Sequence, residues 1–229
     1  MLNGNQKRMI VDTMSLNEVG EAILKASQKS MSKIVALLLN KDKEYRRVII
    51  KGQKERYDFQ KISFTIDGIE FILCPYSKSK KDYKKYGISY CLFAHVFYNG
   101  TNWYCMITSD FQRVVMYCNH FFERYVERHL KDDSKINVEL VRKYFKEIDC
   151  MAIGKHIEHP HYKNCTYAST NIGVCCGEIV SNHVIVFKTY IDMETITKGE
   201  KRETFEWGNE VFKLLITNEI GIRELGVAA

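Results

Sequence analysis

The sequence contains little proline and no long apolar run. Only Pro75 and Pro160 occur among 229 residues, and no proline-, glycine- or serine-rich linker divides the chain. The apolar segment 34–39 lies between Lys33 and Lys41 and is much shorter than the ~20 residues that a membrane-spanning helix needs. The first thirty residues also lack the apolar centre of a signal peptide. These absences predict one integrated domain, a cytoplasmic location and no membrane partner.

Cysteine pairs of the Cys-x-x-Cys type are absent, although the chain holds eight cysteines. Most of these cysteines lie in apolar runs, so we expect reduced, buried thiols. Three histidines occur in the segment 156–161, but their spacing matches no common zinc motif, and Pro160 prevents the regular helix that would align them. We therefore predict an exposed loop, no bound metal and no cofactor. A metal-dependent hydrolase that uses His156, His159 and His161 is the weaker alternative.

The net charge of +6 is unevenly distributed along the chain. Residues 1–90 contain 18 Lys/Arg and 10 Asp/Glu, whereas residues 91–229 contain 16 and 18. A basic part of a protein favours an anionic polymer or surface as its partner. The alternative is a basic but merely solvated surface.

Local patterns predict an α+β fold in which antiparallel β-hairpins and a β-meander pack with several helices. Ser15 and Glu18 fit a helix capping box. Apolar spacing predicts a helix over 16–39 with a break near 28–30, followed by a short strand over 48–50. The predicted segments are an N-terminal helical extension (1–50), β-hairpins (60–117), helices (118–150), a β-meander (165–192) and a C-terminal helix (207–218).

Two hairpins are marked by their turn residues. Asp67-Gly68 and Asn99-Gly100 accept the positive φ of tight primed turns, and both lie between runs rich in aromatic and β-branched residues. The predicted strands are 62–66 and 69–73, 90–98 and 102–108, 113–117, 167–170, 173–180 and 183–191.

The segment 119–129 predicts a helix that carries clustered cations, with Asn119 as a candidate N-cap. Helical spacing places His120, Arg124 and Arg128 at i, i+4 and i+8 along one face, about 100° from the neighbouring glutamates. A helix N-terminus favours anions, and arginine holds phosphate in a bidentate manner. We therefore hypothesise a phosphate-binding face. In the structural alternative, the arginines pair with acids elsewhere in the chain.

The segment 76–86 interleaves five lysines with three tyrosines. Lysines neutralise phosphates and tyrosine rings stack on bases, so this segment predicts contacts with single-stranded RNA or DNA. The alternative is a solvated basic loop between the two hairpins. The candidate contact residues are Lys78, Lys80, Lys81, Tyr83, Lys84, Lys85 and Tyr86.

About residues 115–192 combine a strand, a His-x-x-x-Arg-Tyr-x-x-Arg helix beginning at His120 and a β-meander ending in 184–191. This combination resembles the metal-independent toxin-type ribonucleases. This group includes barnase, EndoU, colicin and RelE-type nucleases, which cleave RNA through a 2′,3′-cyclic phosphate. The resemblance implies a bacterial or mobile-element ribonuclease, with RNA and an inhibitory protein as partners. The implied roles are acid or base for His120, phosphate clamp for Arg124 and Arg128, hydrogen bonds to phosphate for Thr170 or Thr189, and RNA contact for Lys188.

Two alternatives to this ribonuclease hypothesis remain open. Arg124 and His129 form an Arg-x4-His pattern that resembles the motif of the all-helical HEPN nucleases. Tyr125 stands where that motif usually has a polar residue, and the surrounding strands disfavour an all-helical bundle, so we expect His129 to be a packed or capping residue. The second alternative is a non-catalytic α+β module that binds nucleic acid or a protein through the basic segment 76–86.

Overall fold

The N-terminal part folds into two helices that meet at Ser30. The computed structural model of the chain describes residues 10–148, 151–153, 157–159, 162–196, 202 and 206, with their side chains outside 152–164. Helix α1 spans Leu16–Lys29 and α2 spans Met31–Lys51. The predicted capping box is confirmed, because Ser15 N donates to the Glu18 carboxylate at 2.7 Å and Glu18 N donates to Ser15 Oγ at 3.3 Å.

Helix α2 continues through the strand that was predicted over 48–50. Ile49 is fully buried one turn after the buried Tyr45, in the same spacing that buries Ile34 and Leu38. The β-branched run favours a strand locally, but burial of Ile49 on the inner side of the helix outweighs that weak preference. The prediction of a strand at this position is therefore wrong, and the helix ends at Gly52.

The strands form one sheet that is mostly antiparallel, so the predicted α+β fold is confirmed. The described strands are β1 (Tyr57–Asp58), β2 (Ile62–Ile66), β3 (Ile69–Ser77), β4 (Ser89–Tyr98), β5 (Thr101–Ile107), β6 (Val114–Cys118), β7 (Met151–Ile153), β8 (Ile157–His159), β9 (Tyr162–Thr170), β10 (Gly173–Ile179) and β11 (Val184–Asp192). Their order is β1-β3-β4-β5-β6-β11-β10-β9-β7, with β2 also beside β3 and β8 beside β9.

Both predicted hairpins are confirmed. Asp67 and Asn99 have φ angles of 50° and 48°, and the glycines that follow them have φ angles of 77° and 73°. Both central residues of each turn have a positive φ, a backbone conformation that asparagine, aspartate and glycine adopt most easily. Strands β6 and β11 pair in parallel and thereby join the hairpins to the C-terminal meander in one continuous sheet.

The remaining helices are α3 (Lys80–Tyr86), α4 (Asn119–Tyr125) and α5 (Val138–Glu147), with a π-helical turn (Val126–Leu130) after α4. Asn137 caps α5 by accepting from two backbone N–H groups. The N-cap of α4 is Cys118, not the predicted Asn119, whose side chain instead donates to Glu123 at 2.8 Å. Within the described ranges, no helix is both long and apolar enough to cross a membrane.

Two apolar clusters lie on opposite faces of the sheet. The first cluster joins α1 and α2 to residues such as Phe71 and Val114, and the second joins α4 and α5 to neighbours such as Ile72 and Val115. Successive strand residues therefore point to opposite faces of the sheet, and helices cover both faces. Gly20 allows α1 to approach closely, since a Cβ there would lie 2.6 Å from Val184.

Part of the predicted histidine-rich loop is a strand. β8 covers Ile157–His159 and pairs with β9. The predicted C-terminal helix over 207–218 lies outside the described residues, so it stays a prediction.

Candidate functional site

The predicted row of three cations on α4 is interrupted. The helix changes at Val126 into a π-helical turn. Its i→i+5 hydrogen bonds give more residues per turn than the i→i+4 bonds of an α-helix. Arg128 lies in this π-helical turn and not in α4 itself. The Arg128 guanidinium donates to the Tyr190 carbonyl oxygen at 2.6 Å and so holds the end of β11.

His120 and Arg124 both have acidic partners one helical turn away. His120 Nδ1 lies 3.1 Å from the Glu123 carboxylate, and Arg124 contacts the Glu127 carboxylate. Residues at i and i+3 are neighbours on a helix, so acids that lie about 100° from the arginines still reach the preceding cations. Both cationic positions therefore have an acid on the same helix as a partner, and we call this row of exposed side chains the α4 face.

The predicted threonines do not form a floor beneath the α4 face. Thr170 is fully buried, and its hydroxyl donates to the Gly173 carbonyl at 2.9 Å and accepts from two backbone N–H groups. Such a hydroxyl stabilises the turn between β9 and β10 and has no donor left for a phosphate. The predicted role of Thr170 is therefore not compatible with its position.

Thr189 lies on the other side of the sheet. β11 carries one extra residue at Lys188, because Cys176 pairs with Thr189 while Gly177 pairs with Phe187. Phe187 and Tyr190 both belong to the cluster beneath α4. Thr189, the residue before Tyr190, must therefore point to the opposite face of the sheet.

Lys188 is placed at this bulge, where its amine forms an ion pair with Glu178 at 2.8 Å. The predicted RNA contact is thus engaged with an acid of the adjacent strand. The Lys188 backbone lies beside the start of α4, where its carbonyl oxygen accepts from Cys118 Sγ at 3.5 Å, but its amine is engaged by Glu178.

An open depression of about 750 Å³ lies beside the α4 face, and its lining is acidic. Four carboxylates and two lysines contribute to it, which gives a net charge of −2. A phosphate would be repelled at this location. The charged lining residues are Glu123, Glu127, Lys131, Asp132, Asp133 and Lys135.

The inner side of α4 is a packed aromatic core. Phe121, Phe122 and Tyr125 are fully buried, and the Tyr125 hydroxyl donates to the Glu147 carboxylate. Burial raises the pKa of Tyr125, and this hydrogen bond adds to the effect. His129 stacks on the Tyr125 ring at 5.2 Å, which fits the prediction that it is a packed residue.

The basic segment 76–86 is ordered as a strand end and a helix. Ser79 caps α3, because its hydroxyl accepts from Asp82 N at 3.0 Å, and Gly87 ends the helix with a φ of 76°. The helix is fixed to α2 at two points. The Tyr83 hydroxyl donates to Asp42 at 3.0 Å, and the Lys80 amine donates to the Ile50 carbonyl at 2.6 Å. The alternative of a basic loop is therefore wrong.

These contacts make α3 and the second half of α2 one surface. We call the exposed side chains of residues 41–51 and 78–86 the α2/α3 surface. Its residues comprise ten Lys/Arg and three Asp/Glu, a net charge of +7, whereas the whole chain carries +6. An open depression of about 260 Å³ lies on its α2 side. The depression is lined by Lys43, Arg46, Arg47, Ile50 and Lys51.

The lysines and arginines on α2 are functional candidates that the sequence analysis missed. Lys43, Arg47 and Lys51 recur at i, i+4 and i+8, so the spacing that drew attention to α4 also occurs here. Among the described residues, several exposed cations of this surface form no ion pair with an acid. These are Lys43, Arg46, Arg47, Lys51, Lys81 and Lys84.

Nucleophilic and metal-binding chemistry has little support in the described part of the chain. The seven described cysteines are free thiols, and burial raises the pKa of Cys74 to about 11 and that of Cys175 to about 12. Described side chains include no group of three or more His, Cys, Asp or Glu that would hold a metal ion. The side chains of His156, His159 and His161 lie outside the described residues.

Comparisons of the chain with protein-family models, with curated proteins and with solved structures found no match. The function therefore has to be inferred from the geometry and charge of the residues themselves.

Proposed function

We propose that this protein binds single-stranded nucleic acid through the α2/α3 surface. The observation that carries the proposal is the set of exposed cations without acidic partners, held on two helices that are fixed to each other. Phosphate groups would neutralise these cations and release condensed counterions, which is the main source of affinity in nucleic-acid binding.

A purely structural role accounts for only some of these cations. The dipole of α2 favours Lys51 in its last turn, and the dipole of α3 favours Lys84 in the same way. Lys43 lies two turns before the end of α2, and Lys81 lies in the first turn of α3, where the dipole disfavours a cation. The excess of positive charge at these positions is better matched by an external anion.

Exposed apolar and aromatic groups among the cations favour a single strand over a duplex. Tyr86 is 62% exposed, and the Lys85 amine lies 4.8 Å from the centre of its ring. Ile50 is 41% exposed inside the depression on α2. Unpaired bases can stack on such groups, whereas a duplex hides its base faces and presents mainly phosphates.

Fluorescence anisotropy with labelled single-stranded RNA tests the proposal, with a duplex of the same sequence and polyglutamate of equal charge as competitors. Six phosphate contacts predict that log K falls with log salt at a slope of about −4, because each contact to a single strand contributes about −0.7. We expect the duplex and polyglutamate to compete weakly. Strong competition by polyglutamate would favour an acidic protein partner, and the absence of salt-dependent RNA binding would contradict the proposal.

Ribonuclease activity centred on His120 has less support from the geometry. The α4 face is paired with acids, and the depression beside it is acidic. A gel assay of the same RNA in EDTA measures cleavage separately from binding, so the two functions are distinguishable.

A further inference from the structure

Four sulfur-containing side chains line one largely enclosed pocket between the sheet and the C-terminal end of α5. The pocket has a volume of about 40 Å³, and we call it the sulfur pocket. Its sulfur atoms are two free thiols and two thioethers, from Cys74, Cys91, Met106 and Met151. The proposed binding of nucleic acid does not use these groups, since α2 packs on the other face of the sheet.

Strand pairing places the two thiols beside each other. Cys74 on β3 and Cys91 on β4 are direct partners in the antiparallel register. Direct partners point to the same face of a sheet, and both cysteines contribute to the apolar cluster beneath α4 and α5. Burial raises the pKa of Cys91, and the neighbouring Cys74 adds to the shift. The two sulfur atoms can therefore act on one ligand.

The backbone hydrogen bonds of this pair favour a bridging ion over a disulfide. The Pro75 carbonyl accepts from Phe59 N at 3.0 Å, so it points away from β4. Backbone groups alternate in direction along a strand, so Cys74 and Cys91 form a hydrogen-bonded pair with Cα atoms about 5.5 Å apart. Cβ atoms of direct partners lie about 4.5–5.5 Å apart and are closer in the other type of pair, whereas a disulfide needs about 3.5–4.5 Å. Two metal–sulfur bonds of about 2.3 Å each can span the larger gap.

Methionine sulfur adds two further donors. Met106 on β5 is the direct partner of Phe93, so it is a diagonal neighbour of Cys91 on the same face. Met151 comes from β7, beyond the end of α5, and lines the same pocket. Cys74 and Met151 are buried, whereas Cys91 and Met106 are partly exposed. An ion can therefore reach the pocket from the side of Cys91.

The types of donor decide which ion fits. Thiolate and thioether sulfur are soft ligands that select ions such as Cu(I). Structural zinc instead takes four thiolate, imidazole or carboxylate ligands. Among the described side chains, no third His, Cys, Asp or Glu joins the two cysteines in a metal-binding group. The one carboxylate in the lining, Asp58, is paired with Arg56 and Lys146.

The charges near the pocket suit an anionic complex, since two thiolates and one Cu(I) ion have a net charge of −1. Burial raises the pKa of Cys74 to about 11, but Arg142, Lys61 and Lys146 act in the opposite direction and favour its thiolate. Glu139 weakens their effect. Metal binding displaces the thiol protons, so the affinity should rise with pH.

We propose that the sulfur pocket binds one Cu(I) ion, with Cys74 and Cys91 as thiolate ligands and the two methionines as weaker thioether ligands. The ion connects β3 and β4 to the segment after α5. It stabilises the folded protein, because the unfolded chain does not hold these four groups together. The site is independent of the proposed binding of nucleic acid, so Cys91→Ala should leave RNA affinity unchanged.

Anaerobic titration of the reduced protein with Cu(I), in competition with a coloured Cu(I) chelator, tests the proposal. We expect one tightly bound ion per chain. Changing a residue that only supports a metal ligand costs about 10–100-fold in affinity, so Cys74→Ala and Cys91→Ala should each cost more than about 100-fold. The matched control Cys105→Ala removes a buried cysteine from the other face of the sheet and should bind as the wild type does.

Thermal unfolding and X-ray absorption at the copper edge give two further readouts. Cu(I) should raise the thermal midpoint of the wild type but not that of Cys91→Ala, and circular dichroism shows that the variant is folded. The ion should have sulfur ligands alone, and Met106→Leu, which nearly keeps the side-chain volume, should weaken binding less than the cysteine variants do. Unchanged Cu(I) affinity in folded Cys91→Ala, or nitrogen ligands on copper, would overturn the proposal. A Cys74–Cys91 disulfide formed in air, with no Cu(I) uptake by the reduced protein, would replace it with a redox pair.

Discussion

The α2/α3 surface and the α4 face present the same type of side chains at the same helical spacing, but in different electrostatic surroundings. On α4, His120 and Arg124 lie beside Glu123 and Glu127, and the adjacent depression is acidic. On α2, the cations at i, i+4 and i+8 have no acid partner among the described residues. Spacing alone is therefore a weak indicator of an anion site, because the residues at i+3 decide whether the cations are available.

The two regions also differ in what lies beneath them. α4 covers an aromatic cluster with three fully buried side chains, whereas no residue of α3 is buried. The sequence of α4 is thus constrained mainly by packing. The sequence of α3 has little packing to satisfy beyond the contacts that Lys80 and Tyr83 make with α2, so Lys81, Lys84 and Tyr86 call for another explanation.

The largest effect should come from the buried side of α4. Phe122→Ala removes a fully buried ring that packs edge-on against Tyr104 and Tyr144, and we expect a loss of about 3–5 kcal/mol in the free energy of unfolding. Tyr86→Ala on α3 should change stability by less than about 0.5 kcal/mol but should weaken RNA binding. Denaturant titration and anisotropy measure the two quantities. A large stability loss in Tyr86→Ala would show that α3 is a packing element after all.

Neutralising two cations on α2 should give the next largest effect. Each phosphate contact to a single strand contributes about fourfold in affinity at 0.15 M salt, so Arg46→Gln/Arg47→Gln should bind RNA about fifteenfold more weakly. The double variant Arg124→Gln/Lys131→Gln is the matched control, since it also lowers the net charge by two. An equal loss in both variants would mean that net charge, and not the α2/α3 surface, sets the affinity.

Alkaline pH should destabilise the protein through the second cluster. Burial raises the pKa of Cys74 from 9.0 to about 11, and it raises the pKa values of Tyr117 and Tyr144. A raised pKa in the folded state means that stability is complete below the unfolded value and is lost as pH rises. Each group contributes up to about 1.4 kcal/mol per pH unit in this window.

The check is the free energy of unfolding at pH 8 and at pH 10. We expect a lower value at pH 10, and a smaller decrease in Cys74→Ala because one of the raised groups is gone. Equal stability at the two pH values would contradict the tight burial of this cluster.

The smallest effect is expected at the α4 face. His120→Ala should leave RNA affinity unchanged and stability within about 0.5 kcal/mol, because the lost contact with Glu123 is exposed on the surface. The ribonuclease hypothesis predicts a different result. If the wild-type protein cleaves RNA in EDTA and His120→Ala does not, the α4 face is catalytic, and the α2/α3 surface is not the main functional region.

Local signals determined much of the fold. Asp67-Gly68 and Asn99-Gly100 specify their turns through the backbone alone, and Ser15 with Glu18 specifies the start of α1 within one turn. Features set by distant contacts were not predictable. The continuation of α2 through Ile49 depends on tertiary burial, and the π-helical turn after Tyr125 has no local signature that the sequence analysis recognised.

The candidate site also has one part that the sequence predicts and other parts that it does not. The basic segment 76–86 was recognisable because composition alone marks it. Its partner on α2 was not recognisable, since the two are joined by tertiary contacts such as Tyr83–Asp42 and Lys80–Ile50. The burial of Thr170 and the extra residue at Lys188 depend on strand pairing. Neither could be derived from residue types and spacing.

Lysine footprinting tests the central claim most directly. The protein is acylated with and without saturating single-stranded RNA, and the modification of each lysine is measured by mass spectrometry. We predict protection of Lys43, Lys51, Lys81 and Lys84. Lys131 and Lys143, which lie near acids on the other face of the sheet, should be unchanged. Protection confined to Lys131 and the neighbourhood of α4, or no protection of the α2/α3 surface, would contradict the account.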